Sequence, residues 1–75
     1  MTVDKVLDAK GLACPMPIVK TKGAINELEV GQVLEIHTTD KGAKSDFPAW
    51  AKSGGHELLK HEEENDVLTF WIKKG

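Results

Sequence analysis

The sequence predicts a two-layer α/β sandwich of the α+β kind, in which two helices lie on one face of a four-stranded mixed sheet. Three observations lead to this fold: strand and helix patterns alternate over the first 55 residues, two further strand patterns follow, and a short polar turn separates those last two strands. The predicted element order is β-α-β-α-β-β. Because two helices can cover only one face of such a sheet, the other face is expected to be open.

The first three elements are predicted from the spacing of apolar residues. A strand at 4–9 (DKVLDA) ends before Gly11, and a second strand at 32–39 (QVLEIHTT) alternates between two faces. Between them, a helix is expected from Pro15 to about Glu29. Its inward face repeats at i, i+3, i+7 and i+10 and consists of Ile18, Thr21, Ile25 and Leu28. A right-handed crossover should make the two strands parallel.

The second half of the chain predicts a short helix and a hairpin. Ser45 or Asp46 is the expected N-cap of this helix, and Pro48 is expected in its first turn. Two strand patterns, HELLKHE and DVLTFWIKK, then flank the turn sequence EEND. They predict an antiparallel hairpin with strands at 56–62 and 66–74.

Composition narrows the class of protein. We expect 75 residues to form a single domain, 1–75. The net charge is −2, and all ten basic residues are lysine, so we do not expect the protein to bind nucleic acid. One cysteine allows no internal disulfide, which fits a reducing compartment. Because neither a signal peptide nor a membrane-spanning apolar run is visible, we expect a cytoplasmic protein.

The stretch GLACPMPIVK, residues 11–20, holds that single cysteine, Cys14. Proline is favoured at the first helical position, so Pro15 there would make Cys14 the N-cap. Its sulfur would then lie at the positive end of the helix dipole, facing the N–H groups of Met16 and Ile18, which lowers a thiol pKa. Pro17 also falls within the first turn and should stiffen it.

Residues around this turn are expected to activate or position Cys14. Gly11 and Leu12 should shape the approach to Cys14, and Lys20 should add positive potential. The alternative is an inert buried thiol, the usual state of a free cysteine. The two prolines at a helix start favour the reactive interpretation.

The segment LDAKGLACPMPIVK resembles the signature of the TusA-like sulfur carriers, also called SirA-like proteins. The resemblance continues through LEVGQVLEI, DKGAKSDFPAWAKSGGHELL and FWIKK. It implies the predicted sandwich and a catalytic Cys14 that carries sulfur as a persulfide, so that the protein acts as a sulfurtransferase without a cofactor or a metal. Two departures are Lys41, where the family commonly has proline after Asp40, and the missing arginines.

The resemblance also implies partners, which are sulfur-donor and sulfur-acceptor proteins: a cysteine desulfurase, a rhodanese-like protein or a DsrE-like acceptor. No membrane partner is expected. Asp46 is interpreted either as a capping carboxylate or as a group near Cys14 that orients the site or a partner. The same two interpretations apply, more weakly, to Asp40.

Two other functions stay open. A non-catalytic interaction module would use the open sheet face around Trp71, although a tryptophan there can also simply cover small apolar residues of its own sheet. RNA binding is suggested only by a similar sandwich in a translation initiation factor domain, which is analogy from fold. The histidines lack the cysteine partners that a zinc site of their spacing would need.

Overall fold

The predicted fold class is confirmed by a computed structural model that describes residues 2–13 and 15–75. Its elements are β1 (Lys5–Ala9), α1 (Met16–Asn26), β2 (Val33–Thr38), α2 (Ala43–Ser53), β3 (Glu57–Glu64) and β4 (Val67–Lys73). The sheet order is β1-β2-β4-β3, in which β1 and β2 are parallel and the other neighbours antiparallel. Within the described residues, neither helix is long and apolar enough to cross a membrane.

The core lies between the two helices and one face of the sheet. Phe47 of α2 is fully buried and stacks on Phe70 of β4, with ring centroids 4.7 Å apart. Around this pair lie buried aliphatic side chains, and the set comprises Ile25, Leu34, Ile36, Leu68 and Ile72. Alternate residues of β2 and β4 therefore point inward, as their sequence pattern predicts.

Helix α1 begins one residue later than predicted. Pro15 has φ −95° and ψ 10°, outside the helical region, but its carbonyl accepts the first helical bond, from Val19 N–H at 3.1 Å. Pro15 is thus the N-cap, and Met16 is the first helical residue. Pro17 lies in the first turn as expected and is buried, and its carbonyl accepts a bond from the buried Thr21 hydroxyl at 2.8 Å.

Helix α2 begins earlier than predicted, because the loop before it already turns. Asp40 Oδ1 accepts the Gly42 N–H at 3.2 Å, and the Asp40 carbonyl accepts the Ala43 N–H at 3.1 Å. Gly42 is the N-cap, so the prediction of Ser45 or Asp46 as the cap is wrong. Pro48 lies inside the helix and is exposed, so the expectation that it falls in the first turn is wrong, because the helix already begins at Ala43.

The β3–β4 hairpin is tighter than the sequence suggests. Its turn consists of Asn65 and Asp66, which both have positive φ, 50° and 65°. Two such residues are typical of a type I′ turn, whose twist matches that of the strands. The strands therefore extend to Glu64 and from Val67, and the first two residues of EEND belong to β3.

Gly23 should destabilise the middle of α1, so its replacement by alanine is expected to stabilise the protein. Its φ is not positive, and a Cβ there would meet nothing within 4 Å. The Gly23→Ala variant should therefore gain about 0.5–1 kcal/mol in free energy of unfolding, measured by urea denaturation. Gly11→Ala is the control: at φ +80° a side chain is strained and stability should fall. Equal shifts in both variants would contradict this account.

Candidate functional site

The carboxyl ends of β1 and β2 meet at one edge of the sheet, because the two strands are parallel. The segments that follow them line an open groove of about 410 Å³. Its lining residues are Gly11, Leu12, Ala13, Thr39, Asp40 and Lys41. The groove therefore adjoins the chain immediately before position 14, where the sequence predicts the reactive thiol.

Cys14 itself lies outside the described residues. The N-cap of α1 is Pro15, so the prediction that Cys14 is the N-cap, with Pro15 as the first helical residue, is wrong. Ala13 and Pro15, its neighbours in sequence, are both exposed, and Met16 is 42% exposed. The Met16 N–H donates to the Ala13 carbonyl at 2.9 Å. The expectation that this N–H is free to face the sulfur is therefore wrong, since a turn before the helix uses it.

The predicted approach residues do form one wall of the groove. Gly11 has φ +80°, in the left-handed region that favours glycine, and its N–H donates to Thr39 Oγ1 at 2.9 Å. Leu12 is half-buried and packs against the core. Ile18 also packs against the core from α1 and is half-buried. These contacts fix the shape of the chain on both sides of position 14.

The two predicted carboxylates converge beside the groove. A methyl group on Gly42 would lie 3.5 Å from Asp40 Oδ1 and 3.6 Å from Asp46 Oδ2. Asp40 lines the groove itself, whereas Asp46 lies in the first turn of α2 and is half-buried. The structure thus places Asp40 in the groove with Gly11 and Leu12, and it places Asp46 near Gly42 rather than among the lining residues.

The lysines near the groove differ in their surroundings. Lys41 Nζ contacts the carboxylates of Glu63 at 3.1 Å and Asp66 at 3.2 Å, which ties it to the β3–β4 hairpin. These hydrogen bonds, with Glu63 first, raise the pKa of Lys41 above its ordinary value. Lys44 also pairs with Glu63. Lys20 is exposed on α1, and its role near Cys14 stays a prediction.

Trp71 lies on the open sheet face as predicted, but it is half-buried and engaged by neighbours. Its Nε1 donates to Glu35 Oε1 at 2.7 Å, and Lys60 Nζ lies 5.4 Å from the ring centroid. The other Glu35 oxygen lies 2.6 Å from His37 Nε2. Because the indole N–H is already used, this geometry favours a structural role for Trp71, and its role in partner binding stays a prediction.

The Glu35 contacts predict a pH dependence of stability. The hydrogen bond from His37, with a smaller one from Trp71, holds the pKa of Glu35 below its ordinary value of 4.5 although burial opposes this. Because the pKa of Glu35 is lower in the folded than in the unfolded protein, its ionised carboxylate stabilises the fold above pH 4.5. This stability is lost as the pH falls through the folded-state pKa. The free-energy difference between wild type and Glu35→Gln should therefore be present at neutral pH and disappear in acid. A difference that is constant with pH would contradict this.

Two residues of these networks, Thr39 and Glu35, are not predicted from the sequence as part of a site. Thr39 contacts Gly11, which lies 28 positions away in the sequence, and Glu35 contacts Trp71, which lies 36 positions away. The alternation of β2 correctly placed Glu35 on the open face. For Glu35 the missing information was the strand order that sets β2 beside β4, and for Thr39 it was the adjacency of β1 and β2.

Fold and sequence together define a class: small two-layer α/β sandwiches with a Cys-Pro-x-Pro sequence at the start of the first helix. Residues 5–74 match the model of the family described as Sulfurtransferase TusA. The chain belongs to this family.

Similar proteins carry related names. The chain is 71% identical over 75 residues to a Bacillus subtilis protein named "Putative sulfur carrier protein YrkI", covering all of both chains. It is 46% identical over 71 residues to sulfur carrier protein TusA of Allochromatium vinosum, covering 95% of this chain and 93% of that one. The crystal structure of a SirA-like protein from Desulfitobacterium hafniense superposes with a TM-score of 0.83 at 27% identity, covering 95% and 97%. The family and these relatives support a sulfur-carrier role.

Proposed function

We propose that this protein is a sulfur carrier that accepts persulfide sulfur on Cys14 and relays it to a partner protein or thiol. The observation that carries the proposal is the match of residues 5–74 to the TusA family with Cys14 as the single cysteine. The exposure of Ala13 and Pro15 supports access by a partner to this part of the chain. The domain responsible would be the whole of 1–75.

The transfer is a pair of thiol exchange steps. The Cys14 thiolate attacks the outer sulfur of a donor persulfide, the donor S–S bond breaks, and the donor leaves as a thiolate. The new S–S bond holds the outer sulfur on Cys14. An acceptor thiolate then attacks that sulfur and releases the Cys14 thiolate. Each step moves one sulfur without net oxidation or reduction.

The start of α1 supports thiolate chemistry. In the sequence, Cys14 precedes the first helical residue, Met16, by two positions, and the N-terminal end of a helix is the positive end of its dipole. Such a position favours a thiolate over a thiol. Pro15 and Pro17 stiffen the same turn.

Because the chain has a single cysteine, the ways in which the sulfur can leave Cys14 are restricted. With no second cysteine, the chain cannot expel the sulfur by forming an internal disulfide. The sulfur must therefore leave to another thiol. We propose a cysteine desulfurase or a rhodanese-like protein as donor and a DsrE-like protein as acceptor.

A chase experiment tests the relay. The protein is loaded by a cysteine desulfurase with radiolabelled cysteine, separated from the donor, and mixed with an excess of a small thiol or an acceptor protein. Label should appear on the chain in non-reducing gels and leave it when the acceptor is added. Label that the acceptor cannot remove would contradict a carrier function.

A further inference from the structure

A side-chain hydrogen bond joins the two segments that line the groove. The Gly11 N–H donates to Thr39 Oγ1 at 2.9 Å across 28 positions of sequence. Gly11 has φ +80°, so the direction of this amide depends on a backbone conformation that other residues rarely adopt. Thr39 directly follows the last residue of β2.

The segment that carries this acceptor is itself held in place. The Thr38 side chain is fully buried, and its Oγ1 accepts the Asp40 N–H at 3.2 Å. Asp40 in turn accepts bonds from the N–H groups of Gly42 and Ala43. Thr39 therefore lies between two residues that are held by hydrogen bonds. Its hydroxyl is for this reason a well-positioned acceptor for the Gly11 N–H.

The chain after position 14 is fixed by other contacts. The Met16 N–H bonds the Ala13 carbonyl, and the Pro15 carbonyl accepts the first helical bond. On the side before position 14, Leu12 packs against the core, but apolar contact is not directional. The Leu12 N–H also donates to the Ala9 carbonyl at 3.4 Å, but that bond stays within the segment that follows β1. The hydrogen bond between Gly11 and Thr39 instead ties this segment to the end of β2, and it thereby orients the chain as it enters the turn.

We infer that Thr39 is a positioning residue for sulfur transfer: its hydroxyl holds the turn before Cys14 in the orientation from which the thiol meets a donor persulfide. The inference rests on the proposed function, since it concerns how the same cysteine is presented. It assigns Thr39 no contact with the reacting sulfur. Correct orientation raises the rate of a reaction between two groups, so loss of the bond should slow transfer.

Thr39→Val and Thr39→Ser form the matched pair for the test. Valine keeps the size of threonine without the acceptor, whereas serine keeps the hydroxyl. The net effect of one hydrogen bond corresponds to roughly 2- to 12-fold in rate. The initial rate of sulfur uptake from a cysteine desulfurase should fall by this factor in Thr39→Val and stay within about twofold of wild type in Thr39→Ser.

Hydrogen exchange of backbone amides separates positioning from general destabilisation. In Thr39→Val the Gly11 amide should exchange faster, while core amides such as that of Ile36 keep their wild-type rates. Faster exchange of the core as well would indicate a merely structural role and overturn the inference.

The failure of this inference differs from failure of the proposed function. If wild type takes up sulfur and Thr39→Val does so at the same rate, or Thr39→Ser is as slow as Thr39→Val, the role of Thr39 alone is overturned. If wild type takes up no sulfur from the desulfurase or from a rhodanese with thiosulfate, both the proposed function and this role for Thr39 are overturned.

Discussion

Replacing Phe47 with alanine should remove much of the stability of the protein. The ring is fully buried and stacks on Phe70, so the change leaves a cavity at the contact between α2 and the sheet. Such substitutions cost about 3–5 kcal/mol. A 75-residue domain has roughly 4–11 kcal/mol in all, so a substantial unfolded population is expected.

Urea unfolding followed by tryptophan fluorescence would measure this loss. Trp50 lies edge-on to Phe47 with ring centroids 6.4 Å apart, so its emission should report the site. Val30→Ala is the control, because Val30 is 76% exposed and lies outside the helices and strands. Its free energy of unfolding should change by about 0.5 kcal/mol or less. Similar midpoints for the two variants would show that the described core is wrong.

Replacing Cys14 with serine should abolish sulfur uptake while leaving the fold intact. A serine hydroxyl cannot hold a persulfide, and the chain has no other cysteine to replace it. The core that holds the sandwich together is formed by residues of α1, α2, β1, β2 and β4. The initial rate of label transfer from a cysteine desulfurase should fall to background, with an unchanged far-ultraviolet circular dichroism spectrum.

A cysteine moved to another exposed position tests whether sulfur uptake needs the turn around Cys14 or only an exposed thiol. Val30→Cys in the Cys14→Ser background places a single cysteine at an exposed position far along the chain from the turn. This variant should react with iodoacetamide but accept sulfur from the desulfurase far more slowly than wild type does. If the thiol introduced at position 30 were loaded as fast as Cys14 is in wild type, the context of the turn would contribute nothing.

The sequence was sufficient to predict the architecture but not the starts of the helices. Strand alternation correctly assigned the faces of β2 and β4, because the buried residues recur at every second position from Leu34 to Thr38 and from Leu68 to Ile72, with Val33 as an additional buried residue. The start of α2 was misplaced because Asp40, rather than Ser45 or Asp46, organises the turn before the helix. Local capping preferences cannot reveal such a choice among several polar residues.

The site was predictable in part for the same physical reasons. Gly11 and Leu12 flank the motif in sequence, so their place beside the groove followed from it. Thr39 reaches the same groove because β1 and β2 are adjacent as well as parallel, and the sequence predicted only that they are parallel. The partner of Trp71 was hidden too, since Glu35 lies opposite it through the β2–β4 register.

The most direct test of the central claim is the intact mass of the protein after incubation with a cysteine desulfurase and cysteine in the absence of reductant. Wild type should gain the mass of one sulfur atom, lose it on reduction, and carry it on the peptide that contains Cys14. Cys14→Ser should gain nothing. No gain in wild type with a desulfurase or with a rhodanese and thiosulfate, or an equal gain in Cys14→Ser, would contradict a carrier function at Cys14.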